Sequence, residues 1–379
     1  MDLKKWLKKL WILLKVSEIN IEIKATGKLY SQSFNFLLMQ EEASEIKKIV
    51  TFGEVLMRLS PSDNRKLLQA TQMDFFFGGT EMNVAASLAN MGIEVHHVTN
   101  VSNDIVGEAA LSTLRKYGIG ISAVKKVNFP LGLYFLEVGS AMRSSQIAYN
   151  RLNSCFANIN PDQVDWEKVL EGCNFMHWSG ISPGISEGAY QTLKAGLEVA
   201  RDKGVIVTAD PAYRSNLWKY GRNSHDVLKE LVSLSTIFIG GVREINEILK
   251  TEFSEDEEGF ISASKALIAE FPKIKKVFDK VRTSVDASWQ KIFAQAWNGE
   301  NFLSTTELEI TSVVDRIGTG DAFAAGLLYG LQHFDDEEAL SFANAACALK
   351  HTHVGDVNLV SVEEVMEVAK GKTDGRIKR

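Results

Sequence analysis

Gly318-Thr319-Gly320-Asp321 is the tetrapeptide of this chain best equipped for chemistry. Glycines on both sides of Thr319 let successive backbone N–H groups converge on one point, and a helix starting there adds the positive end of its dipole. Such a nest holds a phosphate, or the charge that builds on a phosphoryl group in transfer. A carboxylate beside an anion pocket is out of place unless it accepts a proton. In that role Asp321 would take the proton of a hydroxyl that attacks phosphorus, the one proton acceptor that phosphoryl transfer to an alcohol needs. The competing assignment makes Asp321 a helix cap and nothing more. A second glycine pair, Gly78-Gly79, leads into the small-residue stretch "TEMNVAASLANMG". It lets a ligand approach the backbone, and Asn83 can bond a hydroxyl from the first helical turn; the plainer alternative is a β–α turn followed by a close-packing alanine run.

These residues need strands and helices to hold them, and the hydrophobic pattern supplies both. "VVDRIGTGDAFAAGLLYG" (313–330) reads as a strand ending at Val313-Val314, a glycine turn, and a helix with Phe323, Leu327 and Leu331 on one stripe. From Lys47 the pattern predicts a strand ending at Gly53-Glu54, a helix over 83–92 closed by Gly92, a strand over 93–101 and a helix over 107–118. Helix 186–203, strand 205–210, helix 226–234, strand 236–241 and a helix through Leu249 continue the series. This alternation predicts an α/β fold, a mostly parallel sheet flanked by helices. Segments within 57–77 and 127–153 break the rhythm with short strand-like pieces such as "LGLYFLEV" (131–138). They suit a small β lid over a site, with ordinary surface hairpins as the alternative. Residues 288–304 read as a hairpin turning at Asn298-Gly299, and "SEDEEG" (254–259) as a solvated loop.

Composition narrows the function. A chain of 379 residues, 45% hydrophobic, can bury one large α/β core or two smaller ones. Its net charge of -6 gives no basic footprint for nucleic acid. Cys155, Cys173 and Cys347 are scattered without a C-x-x-C pair, which predicts a reducing, cytoplasmic setting and no zinc or disulfide framework. No apolar run approaches the ~18 residues of a membrane span. The opening "MDLKKWLKKLWILLKV" places Leu3, Trp6, Leu7, Leu10, Trp11 and Leu14 on one helical face and lysines on the other. It suits a membrane surface, but we favour an extension unrelated to the fold, with Met39 as an alternative start. His351 and His353 alternate without a third ligand and predict no metal site.

The early "GGTEMNVA" and the late "VVDRIGTGDAFAAG", in this order and at this separation, resemble the two signatures of the ribokinase-like (PfkB) carbohydrate kinases. The resemblance runs from about Lys47 to about Val368. It implies a ribokinase-like three-layer fold with a small β lid over residues 47–369, after an N-terminal extension (1–46) and before a basic tail (370–379). It also implies Asp321 as catalytic base, Gly318, Thr319 and Gly320 as the anion hole, and Gly78, Gly79 and Asn83 on the sugar. ATP and Mg2+ are the implied cofactors, with Asn344 and Gly355 at the nucleotide. Within the family, "GLYFLEVG" (132–139), "AYNRLNS" (148–154), "HWSGISP" (177–183), "DPAYRSNLW" (210–218) and "ALKHTHVGDVNLVS" (348–361) are similar to the 2-keto-3-deoxygluconate kinases. That similarity implies Tyr134, Tyr149 and Arg151 facing a sugar acid from the lid, and Arg214 reaching it from the loop after Asp210. A guanidinium grips a carboxylate bidentately. Arg151 with Tyr149 is the expected acid reader, because related fructokinases share a stretch like that of Arg214. Without the family frame, each arginine reads as a local ion pair and each tyrosine as strand packing.

The expected function is transfer of phosphate from MgATP to the C6 hydroxyl of 2-keto-3-deoxygluconate, with the sugar acid and ATP as partners. Exposed lid edges would suit a homodimer. One alternative is a fructokinase or other ketose kinase of the same fold; another is a catalytically silent sugar-acid-binding regulatory protein. Two departures from the family motivate the last. Its Asn-x-x-Glu segment, linked to magnesium and phosphate, reads here Gly241-Val242-Arg243-Glu244. Glu244 keeps an indirect role at the metal, and the lost amide predicts weaker support for it. The strand near Val281 lacks the usual glycine turn, and "VRTSVDASW" reads as a solvated loop rather than a place from which Lys280 or Arg282 reaches phosphate.

Overall fold

The computed structural model describes residues 48–375 apart from Ser215. The amphipathic opening segment, Met39, Lys47 and the last four residues of the basic tail lie outside the described residues. In chain order the strands are β1 (Lys48–Phe52), β2 (Leu56–Ser60), β3 (Asp74–Gly78), β4 (Glu94–Ser102), β5 (Val124–Val127), β6 (Gly132–Glu137), β7 (Gln146–Asn150), β8 (Cys173–Ser179), β9 (Ile206–Asp210), β10 (Ile237–Ile239), β11 (Lys276–Ser284), β12 (Gln290–Trp297), β13 (Phe302–Ser304) and β14 (Leu308–Ile310). The α-helices are α1 (Thr80–Asn90), α2 (Ile105–Lys116), α3 (Trp166–Val169), α4 (Glu187–Asp202), α5 (Ser224–Ser233), α6 (Val242–Leu249), α7 (Glu257–Glu270), α8 (Thr319–His333), α9 (Asp336–Lys350) and α10 (Val362–Ala369).

The main sheet runs β13-β12-β11-β10-β9-β8-β1-β4-β5, with β14 against β12. Every pairing from β11 to β5 is parallel, and β12 adds an antiparallel edge carrying β13 and β14. The central strands are β-branched or aromatic and buried on both faces, as parallel strands between helix layers must be. Ile49, Phe175 and Ile237 pack toward α1, α8 and α9, among Leu88, Leu327 and Ala343. Val50, Trp178 and Phe238 point the other way, among Leu197, Leu231 and Phe260 of α4, α5 and α7. Each such side chain contributes roughly 1.5–3 kcal/mol on burial. One rung across four strands is polar: Thr51 pairs in register with His97 and His177, and His177 with Thr208. Burial pushes both imidazoles down to about 3, so they stay neutral, each bonded to a threonine hydroxyl (2.7 and 2.9 Å).

Gly53-Glu54 ends β1, and the chain then leaves the main sheet to build a second one, β3-β2-β6-β7. Registers place Phe76, Arg58, Tyr134 and Tyr149 side by side on one face of this small sheet, and Phe75, Leu59, Phe135 and Ala148 on the other. Three expectations need correction. Val313 and Val314 are not strand: β14 stops at Ile310, Val314 is 42% exposed, and single backbone bonds to Ser288 and His351 hold the segment. "SEDEEG" is a helix start, because Asp256 accepts the Gly259 N–H (2.8 Å) and the following acids sit at the positive end of α7. Residues through Ser284 are strand rather than loop, since β11 pairs with β12 in register from Val277 to Ser284.

Candidate active site

The start of α8 is built around Gly318, which takes φ +79 and whose Cβ, if present, would lie 1.8 Å from the Asp356 carbonyl oxygen. Only glycine fits there. The first helical bond runs from the Ala322 N–H to the Gly318 oxygen (2.8 Å), so helix geometry leaves the N–H groups of Thr319, Gly320 and Asp321 free to face an anion. The Thr319 hydroxyl turns away and donates to the Arg316 carbonyl (3.1 Å). A Cβ on Gly320 would sit 3.4 Å from Lys280 Nζ, which brings a cation to the rim of the same nest.

Asp321 is recessed in the wall of a cavity of about 470 Å³ at the carboxyl ends of β1, β9 and β10, where open α/β sheets bind ligands. Asn83 Nδ2 donates to Asp321 Oδ2 (2.6 Å), while Asn83 Oδ1 accepts the Gly79 N–H (3.3 Å). That second bond fixes which end of the amide faces the carboxylate. Desolvation pushes Asp321 up to about 8, with Asp210, Glu81 and Asp356 adding to the rise and the Asn83 bond opposing it. A pKa near working pH suits a general base. Burial also lifts Asp210 to about 7 and Asp279 to about 6, each with Glu244 adding. Glu81 is buried, its Oε1 receiving both the backbone N–H and the hydroxyl of Ser179 and the hydroxyl of Ser182.

The lid-side residues reach the cavity, though not all as expected. Tyr149, 47% exposed, and the buried Tyr134 both line it; the Tyr134 hydroxyl donates to Asp356 Oδ2. Arg151 lines it as half of an ion pair: Nε and Nη2 both bond Glu54 Oε2 (2.7 and 2.5 Å), at the bottom of the wall. Its charge is therefore already answered. Arg214 is exposed, donates only to the Ala212 and Tyr213 carbonyls, and meets no carboxylate within 4.0 Å among the described residues. Gly79 lines the cavity. Gly78 makes room for protein instead, since a Cβ there would lie 2.4 Å from Asp356 Oδ2.

The nucleotide-side expectations divide. Asn344 is buried and bonds the Thr305 hydroxyl (3.1 Å) and the Thr306 carbonyl (3.4 Å). Gly355 takes φ +95 against Phe76 and donates to Asp315 Oδ2 (3.2 Å). Neither lines the main cavity. Glu244 does, while capping its own helix by accepting the Gly241 N–H (3.0 Å). Gly241 leaves no hole: a Cβ there would lie 2.6 Å from Asp279 Oδ2, so a second carboxylate occupies the space of the missing side chain. Lys280, Arg282 and Arg316 line one wall together without a carboxylate partner within 4.0 Å among the described residues. Desolvation lowers the Arg316 pKa, and Arg282 lowers it further.

The sequence pattern of the pfkB family carbohydrate kinases matches residues 46–362. The chain belongs to this family. The 2-dehydro-3-deoxygalactonokinase of Haloferax volcanii is 28% identical over 329 residues, covering 86% of this chain and 98% of that protein. The crystal structure of 2-dehydro-3-deoxygluconokinase from Thermotoga maritima superposes with a TM-score of 0.82 at 34% identity, covering 86% of this chain and 100% of the other. A putative ribokinase II from E. coli, solved in complex with ATP and Mg2+, shares the fold (TM-score 0.72, 20% identity, 86% and 99% covered). No described helix of this pfkB kinase is long and apolar enough to cross a membrane.

Arg316 and five acids of the kinase cavity escaped the sequence: Glu54, Glu81, Asp210 as a titratable group, Asp279 and Asp356. Glu54 and Glu81 carried a usable signal, since each follows a glycine turn where an acid has no core role. Asp279 and Asp356 carried none. Their place depends on which glycine, Gly241 or Gly78, the fold brings opposite them.

Proposed function

We propose that this kinase transfers phosphate from ATP to the C6 hydroxyl of 2-keto-3-deoxygluconate (2-dehydro-3-deoxygluconate), giving the 6-phosphate and ADP. The observation that carries this is one cavity holding Asp321, the open N–H groups after Gly318, and Arg214 as a cation with no carboxylate within 4.0 Å among the described residues. Asp321 accepts the hydroxyl proton. The N–H groups of Thr319 and Gly320 take up the charge on the moving phosphoryl group, a donor set worth about 10²–10³ in rate per donor in comparable holes. Arg214 receives the carboxylate, with Tyr149 and the remaining N–H groups of Arg151 orienting the chain of hydroxyls. The lid keeps water from the phosphoryl group.

The residues present suit a magnesium-bound polyphosphate. Lys280, Arg282 and Arg316, without a carboxylate within 4.0 Å among the described residues, offer positive charge, and Asp210, Glu244 and Asp279 offer oxygen donors in the same cavity. Oxygen-rich sites that leave the ion most of its waters are what Mg2+ takes. The ion, when bound, would neutralise phosphate charge, and Asp279, which backs onto Gly241, would offer an oxygen donor where the family's asparagine is missing.

A second substrate is favoured by one observation. The Glu54–Arg151 pair is neutral, as a fructokinase or other ketose kinase would want. We also assign residues 47–369 to the kinase domain, the protein to the cytoplasm, and the outer lid face, where Phe75 is 61% exposed beside Leu59 and Phe135, to a homodimer. Sedimentation equilibrium of wild type and Phe75→Lys tests the last point: a wild-type monomer refutes it.

The deciding experiment is ADP release with MgATP and 2-keto-3-deoxygluconate, with fructose alongside and Asp321→Asn as blank. Turnover on the acid that the blank lacks supports the proposal. Preference for fructose moves the assignment to the ketose kinase, and binding without turnover to a silent sugar-acid sensor.

A further inference from the structure

Behind the anion hole lies a buried ionic cluster that the chemistry above does not use. Arg58 of β2 is 1% exposed, and its Nη1 donates to Asp315 Oδ2 (2.7 Å) and Asp356 Oδ1 (2.9 Å). Tyr134, its neighbour across the lid sheet, donates to the other oxygen of Asp356. Both carboxylates belong to the anion-hole side of the molecule. Asp315 Oδ1 accepts the Ile317 N–H (3.0 Å), one residue before Gly318. The Asp356 carbonyl is the atom against which Gly318 packs. Ile317 in turn packs against Leu56, Tyr134 and Leu136 of the lid.

Arg58 does not line the cavity, although Asp356 and Tyr134 do. Its Nε is buried without a hydrogen-bond partner, and its guanidinium lies 5.0 Å from the Phe76 ring centre. A demand for stability alone would be met at least as well by an apolar side chain, because desolvating charges offsets most of what a buried pair returns. What the cluster does supply is register between two separate sheets. The lid touches the Gly318 loop through one small apolar cluster and this ionic one.

We propose that Arg58 is a positioning residue that ties the seat of the lid to the geometry of the anion hole, so that the N–H groups after Gly318 reach their working position only when the lid is seated. The proposal rests on the kinase assignment above and goes beyond it. Arg58 touches no substrate; it acts through Asp315 and Asp356 on the loop 315–318.

Arg58→Lys keeps the charge and loses the fixed fork, and Arg58→Met keeps the bulk and loses the charge. For each, sugar-acid Kd should stay within about threefold of wild type, while kcat falls by about 10²-fold, the cost of a small misplacement at a reacting centre. Hydrogen exchange at the amides of residues 317–321 should speed up by about tenfold, with residues 336–350 unchanged. Arg58→Met combined with Asp315→Asn should be no slower than Arg58→Met alone, because both cut one link. A folded variant with wild-type kcat and exchange overturns the proposal, and so does exchange that accelerates uniformly along the chain. If Arg58→Met fails to fold, Arg58→Lys decides alone. If wild type shows no turnover, the kinase assignment has failed, and local against uniform exchange still decides the role of Arg58.

Discussion

Replacing Asp321 with asparagine should abolish turnover and, at alkaline pH, make the protein more stable. The folded state holds this carboxyl's proton up to about 8, whereas the unfolded chain releases it near 3.8. Between those values the folded state binds more protons than the unfolded one, so stability falls as pH rises. The contribution is fully present below 3.8 and lost by the time pH passes about 8. At 1.36 kcal/mol per pH unit, the burden on the ionised wild type reaches roughly 6 kcal/mol. Asparagine never ionises, and its Oδ1 still accepts from Asn83 Nδ2. Urea unfolding of both proteins near pH 5 and near pH 9 reads the difference. The variant should gain several kcal/mol over wild type between the two, while kcat drops by about 10²–10⁴-fold, the usual worth of a general base. In wild type the same group makes kcat/KM fall about tenfold per pH unit below about 8. Parallel pH dependence of stability in the two proteins would refute the burial argument, and surviving turnover would refute the base.

Arg214→Ala should raise KM for the sugar acid by about 10- to 10²-fold and leave KM for fructose nearly unchanged, since about 1.5–3 kcal/mol of charge-assisted bonding is lost with the acid alone. Arg151→Ala should instead weaken both substrates alike and lower stability by about 3–5 kcal/mol, because Glu54 is left buried without its partner. Thermal denaturation beside steady-state kinetics separates the two. Gly241→Asn should destabilise by about 1–3 kcal/mol through overpacking against Asp279. Adding Asp279→Ala should recover most of that loss in the same denaturation assay.

The alternating core and the two glycine turns were legible because they depend on local patterns. Gly318 and Gly79 announce tight turns, and "NVAASLAN" can pack closely only as a helix. The partners of charged residues were not legible. Arg151 looks like a carboxylate reader until Glu54, 97 residues away, is seen to hold it. Gly241 looks like a defect until Asp279 fills its space. Val313 and Val314 have strand-like side chains, yet a strand needs a run of paired neighbours, and single backbone bonds to Ser288 and His351 do not make one. Asn344 and Gly355 were placed by family resemblance, and their bonds to Thr305, Thr306 and Asp315 could not be read from the chain.

Several acids share this cavity, and the environment of each supports the proposal of Asp321 as the base. Asp356 is claimed by Arg58 and Tyr134, which leaves it no freedom to take a proton in a reaction. Glu81 spends one oxygen on two serines. Asp279 accepts from Gln295 Nε2 (3.0 Å) and backs onto Gly241. Lys280 and Arg214 both draw the pKa of Asp210 down against its burial. Asp321 is opposed chiefly by one neutral amide, that of Asn83, and burial lifts its pKa to about 8. Environments that drive neighbouring carboxyls apart assign their roles. The acid held by a single neutral amide is also the one set in the first turn of α8, whose free N–H groups would face the phosphoryl group. In the proposed reaction, proton acceptor and charge acceptor are therefore positioned by a single helix, so the hydroxyl that Asp321 would activate is aimed at the phosphorus those N–H groups would hold.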